Sequence, residues 1–366
     1  MADQRLEKLA QILIHYSLQI KPGDQLAIRT TPLGQELAIL AYMEAIKAGG
    51  FVINNISLQD GDEVFYKYAS DEQLDFVSPV RKLITESFDA MLVIGAEYNT
   101  RSLSAINPQS LSRSRKAGSE LTKIFLERSA NLDLRWCYTE FPTYASAQEA
   151  DMSLSDYKEF VFEAGYLNEQ DPVSLWQEEG KKQRQLIDWL TGKDKVNIQG
   201  KNVDLSFSIK DRKFKEADGK YNFPDGEIFT APVEDTANGW IRFSYPAIYE
   251  GQEVIDVELW FEEGKVIKET ASKGQALLTS SLDTDPGARY LGEWGIGTNY
   301  GIKRFTKNIL FDEKMGGTIH LALGSGYPET GSKNESAIHW DMLCDMAESE
   351  IFVDGEILYK NGKIRV

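Results

Sequence analysis

Leu6, Leu9, Leu13 and Tyr16 recur at helical spacing with charges between them, which predicts an amphipathic helix over 4–20, stopped by KPGD at 21–24. QLAIRT (25–30), a helical stretch from about Gln35 to Lys47 ended by Gly49 and Gly50, and FVINNISL (51–58) form a strand-helix-strand unit, which favours a parallel sheet. Helices around Glu72 to Val77 and Pro79 to Glu86, the strand AMLVIGA (90–96), a long charged helix reaching about Arg128 and the strand LRWCYT (134–139) continue the alternation. The pattern is that of a doubly wound α/β domain. A proline-containing loop and helices follow over 140–165, then a helix from about Val173 to Leu190.

After TGKD (191–194) the texture changes to short alternating runs separated by Gly and Asn turns, among them VNIQGKNVDLSFSI, VELWFEEGKVI and IFVDGEILYKNGKIRV. One helix, from about Lys268 to Leu282, interrupts them. The expected architecture is α/β plus mostly β: an N-terminal doubly wound α/β domain over 1–193 and a C-terminal mixed, β-rich domain over 194–366. A chain of 366 residues is long enough for each to bury its own core.

Charge narrows the partners. With 40 Lys and Arg against 57 Asp and Glu the net charge is −17, and no basic cluster stands out, so neither nucleic acid nor an anionic membrane is an expected partner. The acidity reads first as solubility, and a negative cavity would also attract metal ions and the ammonium end of a peptide. Cys137 and Cys344, far apart in sequence, read as reduced, buried thiols, with a disulfide left open. MADQRLEKLAQIL lacks the apolar core of a signal peptide and no run of eighteen apolar residues occurs, so a cytoplasmic location is expected. TTPLGQE (30–36) carries no GxGxxG to cradle a pyrophosphate, and no GxSxG is present for a serine nucleophile.

Candidate chemistry gathers between 284 and 341, in TDPGARYLGE, NILFDE, HLALGSGY and HWD, where two of the three histidines fall. In SAIHWDML, Ile338, Trp340 and Met342 alternate with His339 and Asp341, so a strand would turn both polar side chains to one face. In GGTIHLALG, Ile319, Leu321 and Leu323 form one face and His320 the other. Spacing alone leaves two meanings, metal ligands or hydrogen-bonded half-core histidines, because HExxH and paired CxxC are absent. His15, among apolar neighbours in the first helix, reads as structural, and Trp240, Tyr245, Trp260 and Trp294 as core or dimer contacts.

Together PDGEIFTAP (224–232), DPGARYLGE, LFDE, HLALGSGY and NESAIHWDM resemble, over nearly the full chain, the thermophilic metallo-aminopeptidase family of aminopeptidase T, aminopeptidase S and PepS. The resemblance implies metal ligands at Glu227, Glu293, Glu313, His320, His339 and Asp341, with Glu293 bridging, and an active-site tyrosine at Tyr327. Three features depart from the family pattern: Lys314 stands where Asn is usual, the segment from Glu313 to His320 is about two residues longer, and the GSGYPETGSKNES loop is short.

Oxygen and nitrogen ligands without thiolate suit two divalent ions such as Zn²⁺, Co²⁺ or Mn²⁺. Pairs sharing a carboxylate at roughly 3.5 to 4 Å serve many aminopeptidases. The implied activity is a homodimeric, dinuclear aminopeptidase that hydrolyses the N-terminal residue from short peptides with a free N-terminus through a metal-activated water. Two other readings are a metallohydrolase of another small amide or phosphoester, and a non-catalytic metal-binding protein.

Overall fold

The structure, a computed structural model, describes residues 3–249 and 251–366. The chain divides into two compact units, one of residues 1–173 with 219–224, the other of 174–218 with 225–366. The change of texture at 193/194 marks where the β-rich strands begin. The compact units part earlier, because Leu186 and Leu190 of the helix Pro172–Leu190 pack into the core of the second unit.

In the first unit a five-stranded sheet runs in the order 51–56, 25–30, 90–95, 135–140, 222–223, every pair parallel. The chain moves outward to 51–56 and then reverses to 90–95, the doubly wound arrangement expected from the sequence. Leu26, Ala27 and Ile28 are buried in the strand between, as a sheet covered on both faces requires.

Local detail differs in several places. The first helix is α-helical only over Gln4–Gln11 and continues as a π-helix over Ile12–Ser17. Ile12, Leu13 and Ile14 are all buried along this turn. His15 leaves this turn to meet Glu44, with Nε2 3.2 Å from Oε2. A helix Gly61–Tyr68 occupies a stretch without a predicted element, and the helix expected near 72–77 is the single turn Asp71–Leu74, capped by Ser70 and Gln73. The long charged helix is two helices, Pro108–Ala117 and Ser119–Ala130, parted at Gly118.

The second unit holds an eight-stranded antiparallel sheet and a five-stranded one of order 339–345, 318–324, 291–297, 227–230, 215–217, also antiparallel throughout. Both contribute to one core: Val196, Leu205 and Leu259 from the larger sheet meet Ile228, Trp294, Leu321 and Trp340 from the smaller. Trp294, fully buried, packs edge-on against Phe207 with ring centroids 5.3 Å apart.

The helix predicted from about Lys268 is shorter, Gln275–Leu282, because 265–270 is a strand paired to 258–262 and places Val266 opposite Phe261 in the core. Trp240 and Trp260 face each other across neighbouring strands. Cys137 and Cys344 are both buried, and neither is part of a disulfide.

Candidate metal centre

The smaller sheet buries one face in the core and presents the other as the floor of the site. Along 291–297 the core takes Trp294 and Ile296; along 318–324, Ile319, Leu321 and Leu323; along 339–345, Trp340, Met342 and Cys344. The two-residue period of a strand then sends Glu293, His320, His339 and Asp341 to the opposite face, and Glu227 joins them from the neighbouring strand as the alternate of Ile228. A β-bulge between Leu291 and Glu293 shifts the register where Glu293 enters the site.

Space for the imidazole comes from a glycine. Gly295 is paired with His320, and any side chain at Gly295 would lie on the ring. At Gly297 the same strand lets another segment approach, since a Cβ there would stand 2.1 Å from the Met315 carbonyl oxygen.

Two groups of ligand-bearing side chains converge, Glu227 with Glu293 and His320, and Glu293 with His339 and Asp341, each with its ligand atoms within 4.8 Å of one another. Glu293 belongs to both. Its Oε1 lies 3.5 Å from His320 Nε2 and its Oε2 3.3 Å from His339 Nε2. His320 Nε2 is also 3.3 Å from Glu227 Oε2, and His339 Nε2 3.3 Å from Asp341 Oδ2.

Each imidazole is oriented through its other nitrogen: His320 Nδ1–H donates to the Glu313 carbonyl at 3.1 Å, and His339 Nδ1–H to the Ser325 carbonyl at 2.7 Å. Both Nε2 atoms are thereby directed at the carboxylates, the arrangement in which histidines ligate metals. The loop that delivers His339 is fastened by Asp285, whose Oδ2 accepts from Ser336 Oγ at 3.0 Å and from the Ala337 amide at 2.7 Å.

Of the remaining candidates, Glu313 belongs to neither group; its Oε1 accepts a hydrogen bond from Lys314 Nζ. That ammonium, fully buried, also lies 3.4 Å from Glu227 Oε1. Tyr327 stands half-exposed at the edge, its ring 5.3 Å from that of His339 and 5.5 Å from that of Phe229.

The electrostatics are those of crowded carboxylates with too few cations. Burial would lower the His320 imidazole, but the hydrogen bond to Glu293 and the charges of Glu227, Glu293 and Asp341 outweigh it and raise it to about 10. His339 is likewise pushed well above its ordinary value by Asp341 and Glu293 against the effect of burial. Burial raises Glu227 to about 8, despite Lys314 beside it. Asp341, opposed by burial, is carried down to about 2 by His339.

Glu227 Oε2 and Asp341 Oδ1 are buried without a hydrogen-bond partner, an arrangement that is unfavourable unless a cation satisfies them. The donor set therefore fits divalent metal. Two features of the centre were not picked out as site features in the sequence, Gly295 and the inward course of Lys314. The signal for the first is the alternation Glu293, Gly295, Gly297 on one strand face; for the second it is the departure of Lys314 from the Asn usual after Glu313.

The thermophilic metalloprotease (M29) family model matches residues 2–364. The chain belongs to that family. Membership makes it a metal-dependent peptidase.

Among its relatives are aminopeptidase 2 of Geobacillus stearothermophilus, 25% identical over 99% of this chain and 95% of that protein, and aminopeptidase T of Thermus thermophilus, 24% identical over 98% and 96%. The solved structure of wild-type aminopeptidase T from Thermus thermophilus covers 99% of both chains with a TM-score of 0.87 at 23% identity, which establishes the shared fold. Among the described residues no helix is long and apolar enough to cross a membrane.

Proposed function

We propose that the protein is an aminopeptidase that releases the N-terminal residue of short peptides and works with two divalent ions, Zn²⁺, Co²⁺ or Mn²⁺. Glu227, Glu293 and His320 would hold one ion, and Glu293, His339 and Asp341 the other. The observation that carries this reading is the division of Glu293, one carboxylate oxygen toward each imidazole. The aminopeptidase relatives support the substrate class. Such ions supply Lewis acidity and lower the pKa of water toward about 7.

The chain's own groups do the rest. Backbone carbonyls at Glu313 and Ser325 keep both Nδ1 atoms protonated, so that both Nε2 atoms serve as ligands once their protons leave. Tyr327 keeps its proton, because partial burial and the surrounding carboxylates push its phenol far up, and in this reading its hydroxyl would donate to the oxyanion that develops on the peptide carbonyl. A free terminal amine would be held by one of the ions or by the acidic surroundings, and a blocked terminus loses that contact.

The decisive experiment compares a short leucyl peptide with its N-acetylated form, using metal-stripped protein before and after adding Co²⁺, Zn²⁺ or Mn²⁺. Metal-dependent cleavage of the free peptide alone is expected; cleavage of neither, with metal bound, would overturn the reading. Glu313 joins the ligand set in this proposal only if it leaves Lys314 when metal binds. We further take the protein to be a cytoplasmic homodimer, whose mass light scattering would measure.

A further inference from the structure

Lys314 is one of the largest side chains in the molecule with no solvent exposure. Its backbone is held from both sides, the amide donating to the Phe311 carbonyl at 3.1 Å and the carbonyl accepting from the Asn299 amide at 3.0 Å. The ammonium therefore has little freedom, and it is set among carboxylates: hydrogen-bonded to Glu313 Oε1, 3.4 Å from Glu227 Oε1 and 4.0 Å from Asp225 Oδ1. A buried ammonium so surrounded persists as a cation.

This cation is not shared evenly. Glu227 divides its oxygens, Oε2 toward His320 Nε2 and Oε1 toward Lys314, so it has one oxygen to offer a metal and part of its charge is already neutralised. Among the described residues no ion pair joins Lys314 to Glu293, His339 or Asp341. A divalent ion beside Glu227 thus enters a position with an internal positive charge close by, whereas an ion beside Asp341 meets a carboxylate whose paired cation is the histidine that would itself become a ligand.

We propose that Lys314 makes the two metal positions unequal: the one formed by Glu293, His339 and Asp341 fills first and retains its ion, and the one formed by Glu227, Glu293 and His320 is weaker and exchangeable. The inference rests on the two-metal reading. It adds that the occupancy of the second position, and with it the active fraction, follows the free metal concentration around the protein.

The test is a calorimetric titration of the metal-stripped, full-length protein with Zn²⁺, together with metal analysis after gel filtration. Expected are two steps separated by at least tenfold in Kd and one ion per chain retained on the column. Glu227→Gln should abolish the weak step and spare the tight one. Lys314→Met should tighten the weak step at least tenfold, while Lys314→Arg keeps the separation.

Two equal steps in the wild-type protein, loss of the tight step rather than the weak one in Glu227→Gln, or an unchanged separation in a folded Lys314→Met, would overturn the proposal. If Lys314→Met does not fold, Lys314→Asn, which places there the residue usual in the family, removes the same charge and is expected to tighten the weak step in the same way. A single ion at every concentration would overturn the two-metal reading as well. Unequal binding without peptide cleavage would sustain the inference and remove only the proposed activity.

Discussion

Gly295 lies opposite His320 in the antiparallel register, and a Cβ built on Gly295 would come within 2.0 Å of both Cε1 and Nε2 of the imidazole. The ring occupies the volume that a side chain would need. Gly295→Ala must therefore move His320 or the strand, at a cost typical of overpacking, about 1–3 kcal/mol. The expected outcome is a lowered Tm, loss of the ion nearest Glu227 and activity down by about 10- to 100-fold, as when the support of a metal-ligating histidine is disturbed. Metal analysis checks it; an unchanged metal content in the variant would show that the ring has another place to go.

Glu293 holds a place in both groups, so its removal should not resemble the loss of a ligand to one ion. Glu293→Gln is expected to retain the fold, to lose high affinity for both ions, and to reduce kcat/KM by about 10³-fold or more, which is about 4 kcal/mol of barrier. Retention of both ions at wild-type affinity would remove Glu293 from its bridging role.

Tyr327 offers a separation of packing from chemistry. Its ring contacts Phe229 and His339 would survive in Tyr327→Phe, and only the hydroxyl would go. Activity should fall about 10²- to 10³-fold through kcat, the magnitude seen when one oxyanion donor is deleted, with metal content and KM little changed. A rise in KM alone would mark Tyr327 as a binding group.

The metal-free protein should be sensitive to alkali. His320 stands at about 10 against 6.5 and Glu227 at about 8 against 4.5, so the folded state holds both protons more tightly than the unfolded chain. The associated stability is fully present below the unfolded values and is lost as pH rises through about 8 and then about 10. Asp341, at about 2 against 3.8, has the opposite sign and matters only in acid. In chelator, Tm should decline from about pH 4.5, the unfolded value of Glu227, to about pH 10, the folded value of His320; Zn²⁺ should release protons on binding and flatten the decline. A flat profile for the stripped protein would contradict these shifts.

Much of the site was readable because strands repeat every two residues. Ile338, Trp340 and Met342 mark the inner face, so His339 and Asp341 had to lie together, and the same logic placed His320 opposite Leu321. Pattern could not show that Lys314 turns inward, since lysine is among the residues least often buried and the reversal depends on Asp225 and Glu227, far off in the sequence, as well as on the adjacent Glu313.

Nor could it show the π-helix at 12–17 or the strand at 265–270, where partner contacts override local preference. Residues 219–224 belong to the first unit although they follow the β-rich strands in sequence, because Asn222 and Phe223 pair with Tyr138 and Thr139.

Both imidazoles are steered by main-chain oxygens, at Glu313 and Ser325, and not by side-chain acceptors. A peptide carbonyl is the same whatever residue carries it. The side chains at those two positions can therefore be exchanged without altering which ring nitrogen bears the proton, whereas inserting or deleting a single residue nearby would carry the oxygen away. The tautomers are encoded in loop length, a quantity that residue-by-residue comparison of the ligands leaves out.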